Sequence, residues 1–183
     1  MRIIAGAYKG RRLVTPSWSG LRPTSDRLRE TMFNILRDDI EGATVLDGYA
    51  GTGAVGLEAM SRGASAVTFV DQDRRAVALI ESNITRCGSK ARASVALGAL
   101  PEALRRFDAA VGFDVVLLDP PYEFDAGTIG AILSAVAMYV KDDGQIVVER
   151  ARRAMTTEVT SLTHIRRVTS GESAIEFYVR NSA

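Results

Sequence analysis

Short apolar runs and longer amphipathic segments alternate along the middle of the chain. The runs predict five strands, at residues 44–47, 66–71, 93–97, 114–119 and 145–149. The segments between them carry apolar residues at helical spacing and predict four helices, at residues 53–62, 73–86, 100–107 and 126–139. Strands and helices that alternate in this way form a parallel sheet covered by helices on both faces.

Both ends of the chain depart from this alternation. Residues 164–168 and 174–179 are two β-type runs without room for a crossover helix, so they predict an antiparallel hairpin. Residues 2–5 and 10–14 predict a second hairpin, followed by a helix that starts at Ser25 or the threonine before it. The predicted class is therefore α/β: a Rossmann-like open parallel sheet, a C-terminal antiparallel hairpin and a basic N-terminal β-hairpin extension.

A glycine-rich stretch follows the first predicted strand, from Asp47 to Gly56. Gly51 and Gly53 allow a tight turn and a close approach to a ligand, and the following helix would present free N–H groups. The spacing Gly51-x-Gly53-x-x-Gly56 matches the dinucleotide fingerprint. A tight strand-to-helix turn without a ligand would give the same pattern.

Acidic residues end three of the predicted strands: Asp47, Asp71 and Asp119. Ligands of open α/β sheets bind beyond the carboxyl ends of the strands, so we expect the three acids to converge there. Asp71 can bond the ribose hydroxyls of a nucleoside. Asp47 suits a ligand with an ammonium group, such as the methionine end of S-adenosylmethionine, better than it suits a pyrophosphate.

Asp119 is followed by Pro120, Pro121 and Tyr122. The prolines fix φ and have no N–H, so the loop is stiff and its carbonyls are free to accept hydrogen bonds. Such acceptors beside an aromatic ring fit the exocyclic amine of a nucleobase that stacks on Tyr122. Holding both N–H bonds would free the amine lone pair to attack a methyl group. A rigid strand exit with a buried tyrosine is the alternative interpretation.

Positive charge is concentrated at the N-terminus, although the chain of 183 residues has a net charge of only +1. Residues 1–29 hold seven basic side chains and one acid, net +6, whereas the rest holds 16 basic and 21 acidic, net −5. We predict an extension at residues 1–23 that contacts a polyanion, followed by a main domain at residues 24–183. The candidate contacts are Arg2, Lys9, Arg11, Arg12, Arg22 and Arg27. A solvated pair of surface strands would give the same pattern.

The remaining totals are those of an ordinary globular protein, with 46% hydrophobic and 25% charged residues. Cys87 is the only cysteine, and we expect neither a signal peptide nor a membrane span from the sequence. These features predict a cytoplasmic protein without membrane contact. We predict no metal site. Arg150, Arg152 and Arg153 are expected to lie in a solvated turn.

The motifs together resemble class I S-adenosylmethionine-dependent methyltransferases that act on exocyclic amines. The N-terminal blocks are more specific, and they resemble the bacterial RsmD family, which methylates N2 of one guanine in 16S ribosomal RNA. These blocks are Arg2-Ile3-Ile4-Ala5-Gly6, Lys9-Gly10-Arg11-Arg12-Leu13, Arg22-Pro23-Thr24-Ser25-Asp26-Arg27 and Arg29-Glu30-Thr31-Met32-Phe33-Asn34. The resemblance covers nearly the whole chain.

The resemblance implies that S-adenosylmethionine is the methyl donor and that Asp119, Pro120, Pro121 and Tyr122 hold the guanine. It implies a monomer that acts on 16S rRNA in a small ribosomal subunit or an assembly intermediate. The residues expected to bind the cofactor are Asp47, Tyr49, Ala50, Gly51, Thr52, Gly53, Asp71, Gln72, Ala99 and Leu100.

The chain departs from the family pattern at three places. Gly48 stands where an apolar residue is usual, which is expected to loosen the loop. Asp71 stands where Glu is more common and has a shorter reach. Ala99 and Leu100 lie where many relatives have an acid that binds the adenine amine, so backbone groups or Asp119 would serve instead.

Three alternatives remain at this point. A nicotinamide-dependent oxidoreductase would use the same glycine loop but leaves Asp-Pro-Pro-Tyr unexplained. A DNA adenine-N6 methyltransferase shares the four-residue motif, but this chain has no space for a separate target-reading domain. An RNA-binding module without catalytic activity would keep the basic extension and a vestigial pocket.

Overall fold

The computed structural model describes residues 1–16, 18, 25–110 and 112–181, and within them seven strands form one sheet. The strands are β1 (Thr44–Gly48), β2 (Ala66–Asp71), β3 (Ala93–Leu97), β4 (Phe113–Leu118), β5 (Val140–Ala151), β6 (Leu162–Ser170) and β7 (Ser173–Arg180). Their order across the sheet is β3-β2-β1-β4-β5-β7-β6. The first five strands run parallel, and β7 pairs antiparallel with both β5 and β6. The predicted α/β class and the C-terminal hairpin are confirmed.

Helices cover both faces of this sheet, as predicted. They are α1 (Asp26–Ile35), α2 (Arg37–Ile40), α3 (Ala54–Ser61), α4 (Arg74–Cys87) and α5 (Ala126–Ala137). One core joins the buried sides of α1, α3 and α4 to one face of the sheet, and a second core joins α5 to the other. Val45 belongs to the first core and Leu46 to the second, because successive strand side chains point to opposite faces.

Two predicted segments have a different form in the structure, and one helix is additional. Residues 100–107, predicted as a helix, contain only a 3₁₀ turn at Glu102–Arg106, which ends where Phe107 becomes extended. Strand β5 begins at Val140, well before the predicted residue 145, and its pairing with β4 is irregular there. Helix α2 was not predicted. No helix in the described ranges is long and apolar enough to cross a membrane.

The N-terminal segment, residues 1–16, packs onto the body of the protein. It makes a hairpin with a single antiparallel bridge between Arg2 and Arg12, so the predicted strands are reduced to that bridge. Ile3 and Leu13 are 1% and 6% exposed and belong to the first core. Deleting the segment would therefore uncover part of the core, in addition to removing charge.

Two fully buried polar side chains attach this segment to the helices. Glu58 on α3 accepts hydrogen bonds from two successive backbone N–H groups of the segment, at 2.7 and 3.0 Å. Asn83 on α4 accepts from the Val14 N–H at 2.7 Å and donates to the Val14 carbonyl at 3.1 Å. The same amide donates to the Thr52 carbonyl at 2.9 Å. Asn83 therefore connects the N-terminal segment to the glycine loop.

We predict that Asn83→Ala destabilises the protein. The change leaves the half-buried Val14 N–H and the buried Thr52 carbonyl without their partner. Each such group costs about 1–3 kcal/mol, so the unfolding free energy should fall by at least about 2 kcal/mol. Urea denaturation measures this as a lower transition midpoint.

Asn34→Ala is the matched control, because Asn34 is exposed on α1. It should leave the midpoint nearly unchanged. Equal midpoints for the two variants would show that the Asn83 contacts do not stabilise the fold.

Candidate active site

A cavity of about 610 Å³ opens at the carboxyl ends of β1, β2, β4 and β5. Its volume lies within the range of roughly 300–1,000 Å³ that is typical of small-molecule sites. The glycine loop forms one wall and Asp119–Tyr122 another. Met1, Thr15 and Pro16 of the N-terminal segment also line the cavity, as does Trp18, two residues further along the chain. Asp47 and Asp119 both line this space, so the two predicted motifs share one cavity.

The lining of the cavity is strongly acidic. Its charged residues are Asp47, Asp71, Asp73, Asp119, Glu123, Glu149 and Arg75. Arg75 is already paired with Asp73, at 2.7 Å. Carboxylates concentrated in a cleft create a negative potential that attracts cations and repels phosphates. The cavity therefore suits a cationic ligand better than the pyrophosphate of a nicotinamide dinucleotide.

Asp47 is buried at the end of β1 and is 3% exposed. Its Oδ2 accepts a hydrogen bond from the Gly56 N–H at 2.8 Å, inside the first turn of α3. The residue before α3, Gly53, gives no side-chain cap, so the Asp47 carboxylate satisfies one of the free N–H groups. Burial raises the pKa of the Asp47 carboxyl from 3.8 to about 7; the Gly56 hydrogen bond opposes this rise and the Asp71 charge adds to it.

Gly56 is required for this contact because a Cβ there would lie 2.4 Å from Cε1 of Phe69 and 2.9 Å from Oδ2 of Asp47. The helix could not approach β1 and β2 so closely with a side chain at that position. The third glycine of the fingerprint thus serves the packing of α3 on the sheet, while the first two shape the loop.

Asp71 fixes the glycine loop from the end of β2. Its Oδ2 accepts from the Gly51 N–H at 2.8 Å, and its Oδ1 accepts from the Asp73 N–H at 2.9 Å. Gly51 and Gly53 have φ of 56° and 74°, which glycine adopts without strain. A carboxylate oxygen can accept more than one hydrogen bond, so Asp71 keeps acceptor capacity for a ribose hydroxyl.

Most of the residues predicted to bind the cofactor surround the cavity. Those that line it are Asp47, Tyr49, Ala50, Gly51, Thr52, Asp71 and Gln72. Among the described residues, Gly53, Ala99 and Leu100 do not line it. Gly53 directly precedes α3, and a Cβ built on it would lie 3.4 Å from the Cγ atoms of Ile80.

The Leu100 side chain packs in the second core, and a Cβ built on Gly48 would lie only 2.6 Å from its Cδ1. The same Cβ would lie 2.7 Å from Cδ2 of Leu118. The loosening expected from Gly48 is therefore wrong, because two leucine side chains occupy the volume that a larger residue would take.

The second motif is braced by side chains of β5 and β7. The Tyr122 hydroxyl donates to Glu149 Oε1 at 2.9 Å and lies 2.7 Å from Ser173 Oγ. Arg150 is 5% exposed and donates to the Phe124 carbonyl at 3.1 Å, so its predicted place in a solvated turn is wrong. Burial lowers the pKa of the Arg150 guanidinium. Asp119, Pro120, Pro121 and Tyr122 all line the cavity.

The sequence interpretation missed Glu149, Ser173 and Arg150. Glu149 had a signal, because it ends the predicted strand 145–149 as Asp47 and Asp119 end theirs. Ser173 had none, because it reaches Tyr122 only through the antiparallel pairing of β7 with β5.

The predicted RNA-contacting side chains lie on the surface where they are described. Arg2, Lys9, Arg11, Arg12 and Arg27 are exposed, and Arg22 lies outside the described residues. Arg11 donates to the Cys87 carbonyl at the end of α4, at 2.6 Å. Arg29, counted above in the basic stretch, is fully buried, donates to the Arg2 carbonyl at 2.7 Å and contributes nothing to the surface.

We predict that Asp47 makes stability depend on pH in the protein without ligand. Between pH 3.8 and about 7 the folded protein holds a proton on Asp47 that the unfolded chain releases. The stability contributed by this group is therefore full at low pH and is lost as the pH rises through about 7. Relative to wild type, Asp47→Asn should gain up to about 1.4 kcal/mol of unfolding free energy per pH unit from about pH 5 to about pH 7.

Urea denaturation at several pH values measures the difference between the two proteins. Asp143→Asn is the control, because it removes a carboxylate from an exposed position of β5. A constant difference between Asp47→Asn and wild type over this range would contradict the prediction.

Comparisons with known proteins identify the family of the chain. The family model described as "Conserved hypothetical protein 95" matches residues 1–179. "Ribosomal RNA small subunit methyltransferase D" of Haemophilus influenzae is 34% identical over 180 residues, which are 97% of this chain and 93% of that protein. Its namesake of Escherichia coli (strain K12) is 38% identical over 122 residues, 67% of this chain and 60% of that protein.

The solved structure of a hypothetical protein from Thermus thermophilus, TTHA0928, superposes with a TM-score of 0.81 at 30% identity, covering 97% of this chain and 98% of that one. None of these relatives supports the oxidoreductase or DNA-methyltransferase alternatives. Because the family model spans nearly the whole chain and a curated relative is 34% identical over 97% of it, the chain belongs to the family of ribosomal RNA small subunit methyltransferase D.

Proposed function

We propose that this protein transfers a methyl group from S-adenosylmethionine to the exocyclic N2 amine of a guanine in 16S ribosomal RNA. The observation that carries the proposal is the single acidic cavity lined by both Asp47 and Asp119, each at the end of its strand. The names of the relatives, which are ribosomal RNA small subunit methyltransferases, support the substrate class. The proposed substrate is the small subunit or its assembly intermediate, and the proposed enzyme is a monomer.

The residues at the glycine loop fit S-adenosylmethionine. Asp47 is a buried carboxylate in an acidic cavity, where a nearby ammonium group would favour its ionised form. Asp71 offers acceptors to the ribose, and the N-terminus of α3 lies behind the loop. The bound donor supplies a methyl group on a positively charged sulfur, which the six carboxylates around the cavity stabilise.

Asp119 and the two prolines would hold the amine of the guanine. The carboxylate accepts one N2–H and so orients the nitrogen lone pair away from the ring plane. The N2 nitrogen would gain the methyl group as the bond between that methyl and the donor's sulfur breaks, and it would lose one proton, which Asp119 would receive. A hydrogen bond to a charged group contributes roughly 1.5–3 kcal/mol, whereas orientation of the two reactants can contribute on the order of 7–11 kcal/mol. Orientation of the two reactants is therefore expected to lower the activation barrier more than proton abstraction does.

The base must leave its neighbours to enter the cavity, which costs a few kcal/mol if it is stacked. Stacking on Tyr122 returns roughly 1–3 kcal/mol. The Tyr122 ring is fixed at its hydroxyl by Glu149 and Ser173, so little side-chain entropy is lost when a base packs on it. An unpaired guanine in a loop is the target that needs the least energy.

The charge distribution favours different places for the base and for the phosphate backbone of the RNA. The acidic cavity repels phosphates, while Arg2, Lys9 and Arg12 present exposed positive charge on the N-terminal segment. The same segment lines the cavity through Met1 and Thr15. An RNA strand would therefore bind outside along the basic segment and extend only a base inward.

We predict that Asp119→Asn lowers methyl transfer by about ten- to a hundredfold, the equivalent of a charged hydrogen bond. The affinity for S-adenosylmethionine should stay within a few-fold of wild type. Transfer of a labelled methyl group to 16S rRNA and to small-subunit particles, with nucleoside analysis for N2-methylguanosine, measures turnover. Calorimetry measures donor binding.

Asp143→Asn, an exchange of the same kind at an exposed position, is the control and should retain full activity. Wild-type turnover by Asp119→Asn would refute the role of the residue. Methylation of a different base or position by the wild type would refute the proposed reaction.

We predict that replacing Arg2, Lys9 and Arg12 by Gln weakens RNA binding and leaves donor binding unchanged. Each lost phosphate contact should reduce the slope of log K against log salt by about one. The backbone contacts that hold the segment to α3 and α4 remain, so the core stays covered. Filter binding at several salt concentrations provides the slope.

Arg105→Gln, at an exposed site on the 3₁₀ turn, is the matched control. If the triple variant and this control have the same salt slope as the wild type, the N-terminal segment does not bind RNA.

A further inference from the structure

Glu149 lies beside Asp119 at the carboxyl edge of the sheet. Leu118 of β4 pairs with Val148 of β5, so the residue after each, Asp119 and Glu149, emerges from neighbouring parallel strands at the same level. Neighbouring strands are about 4.8 Å apart, which lets both carboxylates reach one edge of a single base. Both residues line the main cavity, and both line a small recess of about 20 Å³ behind it.

Two hydroxyl groups hold the Glu149 carboxylate in one orientation. Tyr122 and Ser173 each donate to its Oε1, at 2.9 Å in both cases, and the two hydroxyl oxygens are 2.7 Å apart. Ser173 is itself buried. Within the described parts of the chain, the hydrogen bonds to this carboxylate all go to Oε1, so Oε2 keeps its acceptor capacity.

The edge of guanine that carries the N2 amine presents a row of donors. N1–H lies directly beside the N2 amine, and both call for acceptors such as carboxylate oxygens. In adenine, and in 2-aminopurine, N1 is an acceptor and would face a carboxylate unfavourably. Two adjacent carboxylates also repel each other, and two adjacent N–H donors relieve that repulsion.

We propose that Glu149 selects guanine: its Oε2 accepts the N1–H of the target base while Asp119 accepts the N2–H. This role rests on the guanine-N2 reaction proposed above and adds the residue that discriminates the base. The hydroxyls of Tyr122 and Ser173 keep the selecting oxygen directed at the base that stacks on the Tyr122 ring.

The test compares guanine with 2-aminopurine at the target position of the RNA. The analogue keeps the amine at C2 but lacks both N1–H and O6, so recognition of N1–H is read from how Glu149→Gln changes the preference between the two bases. Sites built to bond a donor reject an analogue without it by up to about 10⁴-fold. The wild type should therefore prefer guanine by at least about a hundredfold in kcat/KM for methyl transfer.

Glu149→Gln should lower kcat/KM for guanine at least about tenfold and reduce the preference over 2-aminopurine at least about tenfold, since the amide can donate to N1. Donor affinity should remain within a few-fold. Ser173→Ala keeps the carboxylate and loosens it, so its rate should fall while its preference for guanine persists. Glu172→Gln, an exposed exchange of the same kind, should match the wild type.

An equal loss on both substrates in Glu149→Gln would show that Glu149 only positions Tyr122 and would overturn the proposal. So would an unchanged rate and preference. If Glu149→Gln fails to fold, a wild-type enzyme without preference for guanine over 2-aminopurine would overturn it as well. Failure of the proposed reaction itself is recognised separately, because wild-type enzyme would then make no N2-methylguanosine even with unmodified guanine.

Discussion

The hydrogen bond from the Gly56 N–H to the buried carboxylate of Asp47 is the contact on which the rest of the site depends. It fixes the start of α3 against the end of β1, and it forms only because residue 56 has no Cβ. The carboxylate gives up hydration to make this contact, and its raised pKa reports that cost. A cation in the cavity would recover part of the lost stabilisation. The protein thus holds a charge in an unfavourable place where a cationic ligand is expected to bind.

Carboxylates from several strands meet at the same edge of the sheet. Parallel strands deliver Asp47, Asp71, Asp119 and Glu149 to one cavity, so the negative potential is a consequence of topology as much as of composition. Exposed basic residues lie on the N-terminal segment that forms another wall. An RNA strand bound as proposed would meet attraction outside and repulsion inside, and a neutral base is the part of it that could enter.

The sequence was sufficient for the features that depend on periodicity and on strand ends. Alternating apolar runs predicted the parallel strands, and the acids at residues 47, 71 and 119 predicted where they meet. Features that depend on long-range packing were beyond it. Arg150 reads as a surface residue until the loop after β4 folds over it, and the packing of the Leu100 side chain beside Gly48 is not visible in the sequence. Ser173 meets Tyr122 only through antiparallel register.

The N-terminal segment combines exposed basic side chains with buried apolar ones. Its charge pattern was visible in the sequence, whereas the packing of Ile3 and Leu13 in the first core was not. Asn83 bonds both this segment and the carbonyl of Thr52 in the glycine loop, through a single buried amide. The surface proposed for RNA and the loop proposed for the donor therefore share one side chain. Its bond to the Thr52 carbonyl lies in the interior, where an unpaired polar group costs free energy, so this amide stabilises the loop and the segment together.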